Sequence, residues 1–321
     1  MFIIKYFTKL SNFPRISYVL KKKSLMTLSI LIPTYRYDCS QLVLDLHRLA
    51  EKEQLECEIL VCDDASGDEM LAEKLLALEQ HPSVRVFLQK MNLGRARVRN
   101  FLASQAAGRF VLFIDSDAAV PSSFSLRRYV EAAAQASVVC GGLRHPEVNP
   151  CPEASLRYRY ERNADPQRAA VLRNAAPYAR ISTFSLLADR EVFLSVQFDP
   201  SFTEYGHEDT LFGAELQRRN IPILHIDNSL IHMGLEPNDV FLQKTETALG
   251  ALRRLEPQLR GHSPLLAMAD RLRKWHLAWV IRCVYKMFRP LLRRNLLGSR
   301  PSLLLFKFYK LGFFYEVRGK K

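Results

Sequence analysis

No C-x-x-C pair occurs among the six cysteines of this 321-residue chain (Cys39, Cys57, Cys62, Cys140, Cys151 and Cys283). That scatter speaks against zinc and against a disulfide framework, and fits a reducing cytoplasm. No stretch reaches the roughly 18 uncharged apolar residues that a spanning helix requires. The amino-terminal segment is broken by Lys5, Lys9, Pro14 and Arg15 and offers no small-residue cleavage site, so it does not read as a signal peptide. Met26 directly precedes the first strand pattern, which leaves 1–25 as a disordered extension or as sequence ahead of the true start. Acid is scarce at both ends. Residues 1–26 carry six Lys/Arg and no Asp or Glu, and residues 265–321 carry fourteen Lys/Arg against Asp270 and Glu316. The overall charge of +13 therefore leaves 27–264 at −5. A nucleic-acid reader concentrates basic charge on its folded body, and this body is mildly acidic.

What is present is an alternation of strand and helix patterns from Leu28 onward. Strands are predicted at 28–32, 58–62, 84–88, 110–114 and 138–140, and helices at 39–52, 68–80, 94–107 and 122–136. Such alternation implies βαβ units and a mostly parallel sheet. The polar, Arg- and Tyr-rich segment 150–180 reads as an insertion with one helix. Strand patterns at 181–187 and 222–232 flank a helix that begins near His207.

The strand Phe110-Val-Leu-Phe-Ile114 runs straight into Asp115-Ser-Asp117. A run of five apolar residues fits a strand covered on both faces, and open α/β sheets bind ligands at strand carboxyl ends. Two residues apart in an extended chain, the carboxylates project to the same side. They repel unless something positive sits between them, and a divalent cation carrying phosphates fits that need. On the same edge, strand one ends in Pro33-Thr34-Tyr35 and strand two in Asp63-Asp64. A strand-tip acid can accept from a base or a ribose hydroxyl; it can equally cap a turn, as Asp68 does for the next helix. Asn92-Leu-Gly94 opens a helix whose amino terminus favours anions, with Arg99 one turn in, within reach of a phosphate. Arg95 and Arg97 read as a solvated face.

Pro33-Thr34-Tyr35, Asp63-Asp64-x-Ser66, Asn92-x-Gly94 with Arg99-Asn100, Asp115-Ser-Asp117 and Tyr205-Gly206-His207-Glu208-Asp209 fall in the order and spacing of family 2 glycosyltransferases of bacterial type. The resemblance covers roughly 28–245. It implies a GT-A (nucleotide-diphospho-sugar transferase) fold: a mostly parallel sheet flanked by helices, here with a helical C-terminal appendage. It also implies inverting, metal-dependent transfer from a nucleotide-diphosphate sugar, with a UDP-sugar favoured and Mg2+ or Mn2+ as cofactor. The roles carried over place Pro33, Tyr35, Asp63, Asp64, Arg99 and Asp115 on the donor, and Asp117, Asp115 and His232 on the metal. Asp209 is the preferred base, with Glu208 as acceptor ligand or alternative base. A carboxylate at a helix start stays ionised in the helix dipole, although simple N-capping explains it too. His232 serves equally well as a structural histidine. Two departures stand out: Ala118 where many relatives carry a third acid, and Arg180-Ile-Ser-Thr-Phe184 in place of a glycine- or asparagine-rich acceptor loop.

This reading divides the chain into a basic extension (1–26), a catalytic domain (27–260, with a nucleotide half to 120 and an acceptor half from 121) and a basic amphipathic tail (261–321). The tail interleaves cations with Trp275, Trp279, Phe288, Phe306, Tyr309 and Phe314, the pattern of a helix lying in an anionic membrane interface. A helical pair packed on the body and a nucleic-acid surface are the alternatives. The expected protein is a cytoplasmic enzyme, peripheral on the inner face of the plasma membrane. It would add a sugar to a glycan or lipid-linked acceptor in cell-surface polysaccharide assembly. One rival is a nucleotidyltransferase-like enzyme, which would carry a glycine-rich basic loop where Pro33-Thr-Tyr-Arg-Tyr37 stands. Another is a non-catalytic membrane- or nucleic-acid-binding module on the same fold, which would have lost acids at 115, 117 or 209.

Overall fold

A computed structural model describes residues 27–201 and 206–317. The basic extension 1–26, Tyr205 of the fifth motif and the last four residues lie outside these. The strands are β1 (Leu28–Thr34), β2 (Cys57–Asp63), β3 (Val84–Leu88), β4 (Phe110–Ile114), β5 (Ala118–Ala119), β6 (Val138–Cys140), β7 (Leu143–Arg144), β8 (Ser185–Asp189), β9 (Ile223–His225) and β10 (Leu230–His232). Seven of them form one sheet in the order β3-β2-β1-β4-β8-β6-β9. Only β8 runs antiparallel to its neighbours, so the sheet is mainly parallel, as the alternation implied.

The continuous apolar runs sit at the sheet's centre because both faces are covered. Ile30, Ile32, Ile59, Val61, Leu112 and Ile114 face the helices Ser40–Lys52 and Leu126–Ala132. The alternate residues Leu31, Leu60, Val111 and Phe113 face the helix Arg95–Gln105 and the aromatic group Phe193, Phe198 and Phe212. This is the period-two alternation of a pleated strand carried into two cores.

Three expectations change in detail. The 222–232 pattern is two strands in two sheets, parted at Asn228, whose side chain bonds both the amide and the carbonyl of Ser125. The helix placed at 122–136 is correspondingly short, starting only after Ser125 caps it. The segment 150–180 holds two α-helices, Ser155–Ala164 and Ala170–Asn174, rather than one.

The second sheet has three strands, β5-β10-β7, and matters most for the site. Ala118 pairs with His232 and Ala119 with Ile231, antiparallel. The residue after Asp117 is therefore spent on strand pairing that draws His232 alongside.

The carboxy-terminal helices Ala278–Leu296 and Leu303–Glu316 form a hairpin. Tyr285, Leu292, Leu296, Phe306 and Tyr309 pack on Leu156 and Leu242 of the body, and Phe314 packs with Leu249, Leu252 and Leu266. Part of the tail's aromatic content is thus core, while Trp275, Trp279, Met287 and Phe288 stay exposed. Among the described residues no helix is long and apolar enough to cross a membrane.

Gly312 lies against the face of Tyr285, and a methyl there would overlap the ring. A methyl at Gly250, in the helix Asn238–Arg254, would meet only the end of the Arg254 side chain, at 3.9 Å. Two Gly→Ala changes should consequently have opposite signs. Gly250→Ala gains about 0.5–1 kcal/mol from helix entropy, and Gly312→Ala loses about 1–3 kcal/mol from overpacking. Urea midpoints measured side by side check this; equal gains would show that the hairpin is not closely packed.

Candidate active site

A cleft of about 610 Å3 opens at the carboxyl ends of β1, β2 and β4, walled by Pro33, Tyr35, Asp64, Arg95, Arg99, Asp115, Asp117, Glu236 and Lys244 among others. The sequence order scatters these groups; the parallel crossovers gather them on one edge.

Asp64 is fixed by the next helix: its oxygens accept from the amides of Leu93 at 2.7 Å and Gly94 at 2.9 Å, and its carbonyl from Asn92 Nδ2 at 2.9 Å. Burial raises its pKa, and the two amide donors offset part of that rise. Asp63 turns away from the cleft wall, accepting from the amide and hydroxyl of Ser66. The Ser66 hydroxyl in turn accepts from the Arg36 amide at 2.6 Å, which shapes the loop that carries Tyr35. Tyr35 itself is exposed on the wall.

Asp115 and Asp117 stand in a turn closed by the Ala118 amide on the Asp115 carbonyl, not in an extended strand, and they diverge. Asp115 meets two arginines. Arg99 bonds it directly from a position only 2 % exposed, and Arg95 Nη2 stands 3.5 Å from its second oxygen. Burial alone would raise the pKa of Asp115, but the guanidinium groups of Arg99 and then Arg95 hold it below its ordinary value. Arg95, read from the sequence as solvated, is part of the site; Arg97 does lie outside, on the carbonyl of Pro200.

Asp117 faces the other way, to His232 Nε2 at 3.1 Å. Gly234 makes room, since a Cβ there would overlap the carboxylate. His232 Nδ1 is 3.0 Å from Glu161, which also contacts His145 and receives Arg157 Nε at 3.0 Å. Burial lowers the His232 pKa, but its two carboxylate partners prevail and raise it to about 9. Glu161 is held well below the usual carboxylate range by His145, His232 and Arg157, against burial. Sequence reasoning passed over Glu161, His145 and Arg157. The available signal was the Arg157/Glu161 spacing of one helical turn inside a segment too rich in charge for a plain linker.

Glu208 and Asp209 open the helix Glu208–Arg218 after His207, whose left-handed φ of 71° turns the chain inward. They sit behind Arg95 and Arg99 rather than on the cleft wall. Glu208 accepts from Arg95 Nε at 2.6 Å and the Gly206 amide at 3.1 Å. Asp209 accepts from the amide and hydroxyl of Thr183 at 3.0 and 2.8 Å. The helix start was expected to keep Asp209 readily ionised; burial and the nearby Glu208 instead push it up to about 6. His225 has a different place, buried between Arg173 and the Pro177 carbonyl.

For a divalent cation, Asp117 Oδ2 and His232 Nε2 converge, with Asp115 two residues back. The carboxylate suits Mg2+ or Mn2+, and the imidazole donor favours Mn2+ of the two. Glu161 on the far ring nitrogen gives the outer support that metal-binding histidines have.

No curated protein matches the chain by sequence. Among solved structures, the mannosyltransferase PcManGT from Pyrobaculum calidifontis, in complex with GDP-Man and Mn2+, superposes with a TM-score of 0.58 at 15 % identity, covering 90 % of this chain and 84 % of that one. TarS from S. aureus gives a TM-score of 0.51 at 17 % identity, covering 89 % of this chain and 54 % of that one. At these identities the likeness speaks for the fold, which is the GT-A arrangement. Residues 29–187, which hold the ends of β1, β2 and β4 and the Asp115-Ser-Asp117 turn, match the model for glycosyl transferase family 2, and this segment of the chain belongs to that family.

Proposed function

We propose that the protein is an inverting glycosyltransferase that moves a sugar from a nucleoside diphosphate to a hydroxyl of a glycan or lipid-linked glycan in cell-surface polysaccharide assembly. It works from the cytoplasmic face of the plasma membrane, held there peripherally by its carboxy-terminal helices. The observation that carries the catalytic part is the division of the cleft floor. Asp115 is matched with two arginines and Asp117 with His232, so one edge combines an anion-binding group and a cation-binding group at the end of a single strand.

Pro33, Tyr35 and Asp64 line the part of the cleft suited to a base and ribose, with Asp63 supporting the loop from behind. Arg95, 44 % exposed, is the group placed to follow a diphosphate, whereas Arg99 is committed to Asp115. Asp117 and His232 would hold Mg2+ or Mn2+, while Asp115, also expected on the metal, is taken up instead by Arg99 and Arg95. That ion supplies positive charge against the leaving diphosphate. His232 must give up its Nε2 proton to ligate, and Glu161 retains the proton on Nδ1, which keeps the ring oriented. Asp209 is the base: raised to about 6, it is ionised at neutral pH yet basic enough to take an acceptor proton. The mannosyltransferase of similar fold was solved with GDP-Man, so guanosine donors belong beside the favoured UDP-sugars in any screen.

Four outcomes are expected. Thermal shift across UDP- and GDP-sugars with Mn2+ should show stabilisation by one nucleotide class, lost in Asp117→Asn; a folded protein indifferent to all of them would remove the transferase reading. In the pH profile, kcat/KM should fall about tenfold per unit below about pH 6, because protonation of Asp209 removes the base. Asp209→Asn should lose about 10²–10⁴-fold in kcat with nucleotide affinity retained. If Glu208→Gln shows that loss and Asp209→Asn does not, the two roles exchange. Glu161→Gln should weaken Mn2+ binding by about 10–100-fold in a calorimetric titration while leaving metal-free nucleotide affinity unchanged.

A further inference from the structure

The helix Ala278–Leu296 is built inside out for a surface helix. Its inward stripe is Tyr285, Leu292 and Leu296, spaced by two and then one turn and packed on the body. The opposite side of a 3.6-residue helix falls on Trp279, Cys283, Met287, Pro290 and Leu291, with Val280 among them and Arg294 at its carboxy-terminal end. That side ordinarily carries polar residues. Here Trp279 is 67 % exposed, Met287 69 % and Leu291 61 %. Trp275 and Leu277, in the connection just before the helix, extend the exposed apolar area. The chain has two tryptophans, and both are on this patch.

Cations border the patch along one edge. Arg282, Lys286, Arg289 and Arg293 recur at intervals of one turn between the inward stripe and the apolar side. Arg289 and Arg293 lean back to Glu316 and Glu246. Lys286 and Arg294 are exposed and have no acidic partner among the described residues.

We infer that this face is the part of the protein that enters an anionic lipid surface. The helix lies in the interface plane with Trp275, Trp279, Met287 and Leu291 below the headgroups and Lys286 and Arg294 among the phosphates. Charge decides between occupants. A second copy of the chain would bring the same cations to meet these. Residues 1–26 carry six Lys/Arg and no acid, so they too are of the wrong sign. An anionic headgroup layer over an apolar interior satisfies both the cationic edge and the apolar face. The inference rests on the membrane attachment proposed above and gives it a location. It sets the helix Leu303–Glu316 apart as structural support, since Phe306, Tyr309 and Phe314 of that helix are buried.

The test is sedimentation of the full chain with vesicles of phosphatidylglycerol and phosphatidylcholine, read together with intrinsic tryptophan emission. Binding to the anionic vesicles with a blue shift, and at least tenfold weaker binding to pure phosphatidylcholine, is the expected result. Trp279→Glu with Leu291→Glu should abolish binding at an unchanged thermal midpoint. Lys286→Glu should cost about fivefold, suppressed at high salt. Leu304→Glu, at an exposed apolar position on the supporting helix, should bind as wild type. If Leu304→Glu abolishes binding and the Trp279/Leu291 variant does not, membrane attachment stands and this face is the wrong one. If the wild type ignores every vesicle, both the attachment and the face are overturned, while donor hydrolysis still tests catalysis separately. A concentration-dependent dimer that Trp279→Glu disrupts, or a vesicle-independent complex with an acidic protein, would also overturn the lipid assignment.

Discussion

Two carboxylates two residues apart at the end of a buried strand cannot both remain ionised in isolation, and the way this chain answers that constraint organises the site. Asp115 is assigned to arginine and Asp117 to histidine, on opposite sides of a turn. The arginine arm is rigid. Arg99 is 2 % exposed and also donates to the Arg95 carbonyl at 3.1 Å, so a guanidinium that would be costly to bury alone is held by Asp115 and by its own helix. The histidine arm is built from further away: β5 and β10 must pair to bring His232 to Asp117, and the helix Ser155–Ala164 must supply Glu161 behind the ring. A body with net acidic charge thus concentrates its local positive charge where a phosphorylated ligand would sit.

What could be read from the sequence divides along the same line. The strands β4 and β6 and the strand-end acids were legible because a both-faces-buried strand leaves an unbroken apolar run, and the turn residues that follow are displayed in order. The GT-A arrangement followed from the alternation and from the five motifs together. Arg95 was misread because a first-turn arginine looks the same whether it faces water or Glu208; only the inward turn at His207 decides it. Glu161 and His145 were invisible for a different reason. They belong to the site through contacts about 70 or more positions away in sequence from Asp117's partner strand, and no local period records such a contact. Asp209 shows the same limit in energy rather than position. Its place at a helix start was evident, but the burial that outweighs the dipole comes from the packed chain around Thr183.

The carboxy-terminal segment shows why an interleaved aromatic and basic pattern could not be divided by eye. The same composition serves two purposes on alternate faces. Tyr285, Phe306, Tyr309 and Phe314 are used up in packing, with Arg293 and Tyr309 both directed to Glu246. The residues left over include Trp279, Met287 and Leu291 on the outer side of the helix Ala278–Leu296 and Trp275 just before it. Of the two alternatives posed by composition, the packed pair is present on one side of the hairpin, and the opposite side is the one proposed to meet a lipid surface.

Arg95 links the two halves of the cleft. It donates to Glu208 through Nε and approaches Asp115 through Nη2, so it stands between the strand-end acids and the proposed base. A diphosphate offers a denser negative charge than Asp115 does, and Arg95 is the more exposed of the two arginines, so on the proposed reading it is the one that follows the ligand. Its departure has a consequence at Asp209. Arg95 and Arg99 both lower the Asp209 pKa, against burial and Glu208, which raise it. On that reading, withdrawing Arg95 removes one of the charges that lower the Asp209 pKa and makes it a stronger base. On the proposed reading, donor binding and proton abstraction are coupled through a single side chain.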